Sequence, residues 1–280
     1  MKILVVGDCH GVKPDVDEAG ESADVILAVG DICSDSDRMR DAMFASMDSE
    51  KEFYDILGRE KAKEAVERSL KEGEEVLGYL DSFNTPVFVV PGNWDWNGEE
   101  EGWEFLDENR FQELVEKCSS IHNINGESFR DSDYCYIGYG PCPGPEVPQH
   151  EDEKPENREE MEEIRREYER HKDEIEELFR EAEKPVIFLS HNVPHKTSLD
   201  RIENPDSPAD GRHYGSLVVR DMIEDFRPVL NAAGHMHEGY GCEEVENTLA
   251  LNAGLHSHVL IEIENGEIDR VDFHPSKEGY

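Results

Sequence analysis

The chain lacks any apolar run of about eighteen residues, so nothing in it reads as a transmembrane helix. It is also short of cations: 28 Lys and Arg stand against 67 Asp and Glu, a formal net charge of −39. That balance excludes a protein that grips nucleic acid through a broad basic face. It leaves room for a small nucleotide, because bound divalent cations can neutralise phosphate locally. The six cysteines, at 9, 33, 118, 135, 142 and 242, include no C-x-x-C pair, which argues against a zinc ribbon or a thioredoxin-like motif. They read as free thiols of a reducing compartment. The N-terminal stretch from Met1 to Gly7 is apolar but short, and Asp8 interrupts it, so it reads as a first strand rather than a signal peptide. A cytoplasmic protein is expected. There is no internal repeat and no Ser/Gly-rich linker, which predicts one domain over 1–280 with an insertion at about 141–183. Acidic residues run from Asp15 to Glu278, a spread that suits a high-salt cytoplasm where ions screen self-repulsion, and so a halophilic archaeal source.

What is present has a repeated grammar. Apolar runs at Lys2 to Val6, Asp24 to Val29, Pro86 to Val90, Val186 to Leu189 and Pro228 to Ala233 read as buried strands. Each finishes at a glycine or serine followed by a residue able to bind metal. Ligand sites in open α/β sheets gather at the carboxyl ends of strands. Between them, Asp41 to Leu80 has helical spacing with breaks expected at Gly58 and Gly73. Glu99 to Cys118 reads as a further helix, and Tyr134 to Tyr139 as a strand. Prolines at 141, 143, 145, 148 and 155 predict a loop. Asn157 to Ala182 predicts a solvated amphipathic helix. Leu249 to Leu251, Ser257 to Ile263 and Glu267 to Phe273 predict a closing β meander with a tight turn at Asn265-Gly266. The class is α/β.

The strand-end residues are Asp8, His10, Asp31, Asn93, His191, His235 and His237: two carboxylates, four imidazoles and an amide. This mixture of oxygen and nitrogen donors suits manganese, iron or zinc better than calcium or magnesium. Seven donors exceed one ordinary site and match two metals sharing a carboxylate. Taken singly, Asp-x-His or Gly-Asp marks no more than a turn. The ordered series D-x-H, G-D, G-N-x-D, H and G-H-x-H, each after an apolar strand, carries the inference.

These residues, as Asp8-Cys9-His10, Gly30-Asp31, Gly92-Asn93-Trp94-Asp95, His191 and Gly234-His235-Met236-His237, resemble the calcineurin-like metallophosphoesterases. A narrower resemblance is to the archaeal and bacterial Icc-related phosphoesterases. It rests on Tyr136-Ile137-Gly138 before the Pro-rich loop, Leu199-Asp200-Arg201, the Gly211 to Ser216 segment and Asn252-Ala253-Gly254. The resemblance implies a four-layer α-β-β-α metallophosphoesterase sandwich. It implies that Asp8, His10 and His237 hold one divalent ion, that Asn93, His191 and His235 hold a second, and that Asp31 bridges them. Manganese is the expected metal, with iron or zinc as alternatives. A metal-bound hydroxide would then attack a small phosphodiester or phosphomonoester in line. No membrane and no stable nucleic-acid partner is expected, and the oligomeric state stays open.

One departure matters. Many relatives carry His after the motif Asn, where this chain has Trp94, and an indole N–H cannot serve as a general acid near neutral pH. Other members that lack this His resemble phosphodiesterases, so the resemblance favours phosphodiesters, and the loss weakens the case for substrates with poor leaving groups. His195, His213 and His256 are candidate substitutes, and Arg212-His213 is the preferred phosphate contact, so Asp31, Asn93 and His213 form the expected catalytic set. Cys9 is expected in the core, and His256 and His258 on one face near the site. The competing readings are a catalytically weakened metal-binding scaffold of this fold and a nuclease. The intact ligand series favours the enzyme, because buried carboxylates are costly without metal.

Overall fold

The computed structural model describes residues 1–47, 49, 51–98, 102–140, 144–205 and 207–276. In chain order its elements are β1 (Lys2–Val6), α1 (Asp17–Ser22), β2 (Val25–Ala28), α2 (Asp37–Met47), α3 (Phe53–Leu57), α4 (Arg59–Asp81), β3 (Val87–Val89), α5 (Arg110–Val115), β4 (Ile121–Asn123), β5 (Ser128–Arg130) and β6 (Cys135–Tyr139). Then follow α6 (Arg158–Arg180), β7 (Val186–Asn192), α7 (Leu217–Phe226), β8 (Leu230–Gly234), β9 (Gly241–Val245), β10 (Thr248–Asn252), β11 (His258–Glu264) and β12 (Glu267–His274).

The strands form two six-stranded sheets, ordered β12-β11-β1-β2-β3-β4 and β5-β6-β7-β8-β10-β9. Strand alternation gives each sheet two apolar faces. Ile3, Val5, Leu27 and Phe88 of the first sheet meet Leu189, Ala232 and Leu251 of the second in a shared core. The opposite face of the first sheet, with Leu4 and Ile26, packs on Leu77, Leu80 and Phe111 from the helices. The outer face of the second, with Ile137 and Phe188, packs on Phe179, Val219 and Met222. The result is helix, sheet, sheet, helix, the expected four layers. The 141–183 segment is the crossover that parallel β6 and β7 require, and α6 within it buries Ile175 and Phe179.

Three sequence expectations need correction. Helix α4 runs through Gly73 without a break; the glycine is there because an added Cβ would meet Cys33 Sγ at 2.6 Å. The helix read over 99–118 starts outside the described residues. Its described part is a single 3₁₀ turn, Glu104–Leu106, followed by the short α5, which restarts where the Asn109 side chain accepts the Gln112 N–H. The closing strands do not make one meander. β10 lies beside β8 in the second sheet, whereas β11 returns to the first and pairs antiparallel with β1. The crossing is tight: a Cβ on Gly7 would overlap the Gly254 carbonyl oxygen. Cys142 and Pro141-Cys142-Pro143 lie outside the described residues.

Candidate metal centre

The carboxyl ends of β1, β2, β3, β7 and β8 converge on one point, and the strand-end donors meet there. His10, Asp31 and His237 offer ligand atoms within 4.8 Å of one another, and so do Asp31, His191 and His235. Asp31 belongs to both groups: its Oδ2 lies 3.6 Å from His10 Nε2 and 3.6 Å from His191 Nε2. On one side Asp8 Oδ2 is 3.4 Å from His237 Nε2, and His10 Nε2 faces His237 Nε2 at 3.3 Å. On the other, Asn93 Oδ1 is 2.9 Å from both His191 Nε2 and His235 Nδ1.

The backbone holds these groups in an exacting shape. His10, Asp31 and His235 take φ of 43°, 48° and 66°, a left-handed region that L side chains rarely occupy and that concentrates at functional sites. Trp94 N–H donates to Asp31 Oδ1 at 2.8 Å, which leaves Oδ2 facing the histidines. His191 Nδ1 lies 2.9 Å from the Val29 carbonyl, which fixes a proton there and turns the Nε2 lone pair inward. The glycines of the motifs make the room: a Cβ on Gly234 would sit 2.5 Å from Asp8 Oδ1, and one on Gly92 would sit 2.6 Å from His191 Cε1.

The residues fit a pair of cations. Asp8 Oδ1 is buried with no hydrogen-bond partner, a costly state that a positive ion would relieve. Burial resists charge on His10, yet the bond to Asp35 and the charges of Asp31 and Asp8 push its pKa up to about 9. Burial, reinforced by His191, pushes His235 down to about 4. Burial likewise opposes ionisation of Asp8, but the surrounding histidines hold its pKa below the ordinary value. His235 is thus already neutral at pH 7 and Asp8 ionised, as metal ligands must be, whereas His10 holds a proton that an arriving cation would displace.

Sequence reasoning missed a supporting carboxylate. Asp35 Oδ1 stands 3.4 Å from His10 Nδ1, and Arg40 donates to Asp35 Oδ2 at 3.1 Å. A carboxylate behind a ligand histidine orients the ring and raises its basicity. The only sequence signal was a third Asp soon after Asp31. Asp95, the last residue of its motif, is buried. It accepts from Cys33 N at 2.8 Å, Gly92 N at 2.9 Å and Ile32 N at 3.3 Å, and so ties the loop after β2 to the loop after β3.

The candidate substitutes for the missing motif His fall in three places. His213 Nδ1 is 2.6 Å from Asp200 Oδ1 and lies outside the two metal-binding groups. His195, buried, puts Nδ1 3.3 Å from Asp200 Oδ2. Asp200 therefore joins both rings. Its neighbour Arg212 is committed elsewhere, to Asp152 at 2.7 Å and Glu153 at 3.1 Å in the β6–β7 crossover, so it anchors that segment instead of contacting phosphate. His256 stands beside the centre, its ring 6.5 Å from that of His10. Cys9 is buried in the core, as expected.

Comparisons with known proteins bear on the fold and the family. Over 278 residues, 98% of this chain and 97% of the relative, the sequence is 24% identical to an uncharacterized protein of Methanocaldococcus jannaschii. One crystal structure superposes with a TM-score of 0.62 at 17% identity, covering 98% of this chain and 99% of the other, a likeness of fold. A phosphopantetheinyl hydrolase from Mycobacterium tuberculosis is more distant, at a TM-score of 0.47 and 12% identity over 91% and 90% of the two chains. The sequence profile of the calcineurin-like phosphoesterases matches residues 1–239, which takes in every strand-end donor from Asp8 to His237, and the chain belongs to that family.

Proposed function

We propose that this chain is a dinuclear metal-dependent phosphoesterase that hydrolyses a small phosphorylated substrate, with diesters preferred. The observation that carries the reading is the position of Asp31 Oδ2, equidistant at 3.6 Å from a histidine of each group. Asp8, His10 and His237 would hold one ion and Asn93, His191 and His235 the other, with Asp31 shared between them. The mixed donors favour manganese, with iron or zinc as alternatives. Such a pair supplies Lewis acidity to the phosphoryl oxygens and an activated water at neutral pH.

The chain's own residues do the rest. The backbone N–H of Trp94 holds Asp31 in register, and the Asp35 carboxylate orients His10. In the balanced reaction the oxygen of water bonds to phosphorus, the ester P–O bond breaks, and a proton goes to the departing alkoxide. The Trp94 indole N–H cannot act as a general acid near neutral pH, so esters of acidic alcohols are preferred; the preference for diesters comes from the likeness to family members that also lack the motif His. His213, aimed by Asp200, is our candidate for assisting that proton transfer. No helix among the described residues is long and apolar enough to cross a membrane. The free cysteines there suit the reducing cytoplasm.

The test is hydrolysis of bis-p-nitrophenyl phosphate and p-nitrophenyl phosphate with added manganese in molar KCl, by wild type and Asp31→Ala. Manganese-dependent cleavage of the diester, lost in the variant, is expected. Full metal loading with no turnover of either ester would overturn the enzyme reading in favour of a metal-holding scaffold.

A further inference from the structure

Beside the centre lies a cavity of about 740 Å³ that the reading above leaves without a role. One wall is the loop from Val12 to Val16 with the first turn of α1 to Ala19, which follows directly after His10 and Gly11. The other is the end of the β11–β12 hairpin, carrying His256, His258 and His274. The cavity is at the same end of the sheet as the metal ligands. His258 pairs with Val6, the last residue of β1, and the His256 N–H donates to the Asp8 carbonyl at 2.8 Å. His256 thus stands between the two, lining the cavity while its ring lies 6.5 Å from that of the ligand His10.

Its chemistry is specific. His258 and His274 stack with ring centroids 4.6 Å apart and planes only 3° from parallel, which offers a flat imidazole surface. Burial, and then the neighbouring His274, lowers the His258 pKa to about 4, so that ring is uncharged at neutral pH. Leu260 adds apolar surface, and Asp15, Asp17 and Glu18 line the opposite wall. The one Lys there, Lys13, lies 3.8 Å from Glu75, which offsets its charge. A phosphate, carboxylate or second phosphoryl group would meet this wall with like charge, whereas a flat ring with a cationic or N–H-donating substituent would meet complementary partners.

We propose that this cavity receives the alcohol half of the ester, and that this half is a flat ring bearing a positive charge or N–H donors. The inference rests on the phosphoesterase reading and narrows its substrate class. It assigns the cavity walls a role in specificity, since none of those residues touches the reacting phosphorus.

The experiment compares two methyl aryl phosphodiesters of similar leaving-group acidity, the 4-(aminomethyl)phenyl and the 4-carboxyphenyl esters. Assays run with manganese in molar KCl, where the field of the whole acidic protein is screened within about 3 Å. Wild type should favour the cationic ester by about fivefold in kcat/KM, the upper end of what an ion pair with exposed carboxylates supplies. The preference should shrink several-fold in Asp15→Asn/Glu18→Gln, with metal stoichiometry unchanged. Val12→Trp, at a residue 49% exposed and so safe for folding, should block the cavity mouth and raise KM for both aryl esters. Equal use of the two esters by wild type, or a preference untouched in the double variant, would overturn the pocket and leave the phosphoesterase standing. No turnover of either ester while bis-p-nitrophenyl phosphate is still cleaved would overturn the pocket alone; no turnover of all three would overturn both.

Discussion

Gly92→Ala adds one methyl group, removes no ligand, and should cripple the centre. The new Cβ would lie 2.6 Å from His191 Cε1, and closer still to Asp31 Oδ1 and the Asp31 backbone nitrogen. Ordinary carbon contacts begin near 3.4 Å, so Asp31 and His191 must each retreat by roughly 1 Å. The backbone nitrogen cannot swing aside as a side chain could. Overpacking of this kind costs about 1–3 kcal/mol of stability. Function should suffer more, because the displaced carboxylate is the shared one. Its Oδ2 would lose the symmetric 3.6 Å position that serves both groups, and its Oδ1 the 2.8 Å bond from Trp94. Metal ligand distances tolerate only about 0.2 Å, and a 1 Å misplacement costs on the order of 100-fold in turnover. Manganese titration by calorimetry, with melting curves in chelator, separates the two effects. The control is Gly78→Ala in α4, where nothing lies within 4 Å of the added methyl; helix propensity should there raise stability by about 1 kcal/mol without touching activity. Two manganese ions bound at wild-type affinity in Gly92→Ala would refute the bridging role of Asp31.

Further outcomes are expected. Asp35→Asn should weaken the manganese site built on His10 by about 10–100-fold while leaving the melting temperature nearly unchanged, since it alters the support of one ligand ring; calorimetric titration resolves the weakened site. His213→Ala should lower diester turnover with both ions still bound, and unchanged turnover would dismiss its part in proton transfer. Burial works against ionised Asp200, but bonds from His195, His213 and the Gly215 and Thr197 N–H groups outweigh it and hold its pKa down at about 2. A depressed carboxylate contributes stability that is fully present above about pH 4 and lost as the pH falls through about 2. Allowing for solvent screening this amounts to about 1–2 kcal/mol, and Asp200→Asn should flatten that acid limb in a pH series of chemical melts. With a net charge of −39, the fold should melt at a higher temperature in molar KCl than in dilute buffer; an unchanged midpoint would count against a high-salt origin.

The convergence of the candidate donors was legible in the sequence because each follows an apolar run that reads as a buried strand, and buried strands of an α/β sheet deliver their ends to one place. Asp31 at the end of β2 and His235 at the end of β8 needed nothing further. One boundary differed: β7 continues through His191 to Asn192, so that ligand sits within the strand. The short strands β4, β5 and β9 escaped notice because their faces are half solvated and carry Glu, Arg and Asn in place of apolar alternation. Helix α7, with Val218, Val219, Met222 and Ile223 buried, had a readable face but lay beside motifs that drew the eye. Asp35 could not be read at all, because its role depends on where His10 points, and the left-handed backbone at His10 decides that. The division of the last strands between two sheets was equally hidden, since alternation tells a strand which face to bury and not which sheet to join.

That division sets the order of assembly. β1 is bordered in the sheet by β2 and by β11, and its Lys2 pairs with Glu262, far along the sequence. The residues matched by the family profile end at 239, before β10, β11 and β12 have been made. Asp8 and His10, just past β1, are therefore fixed only once a strand far later in the sequence has paired. Closing so long a loop is slow, and until it closes the metal has only half of a seat. Refolding followed by manganese uptake should lag behind the gain of helical signal, and ending the chain at 239 should leave a compact, helix-bearing species without its first metal.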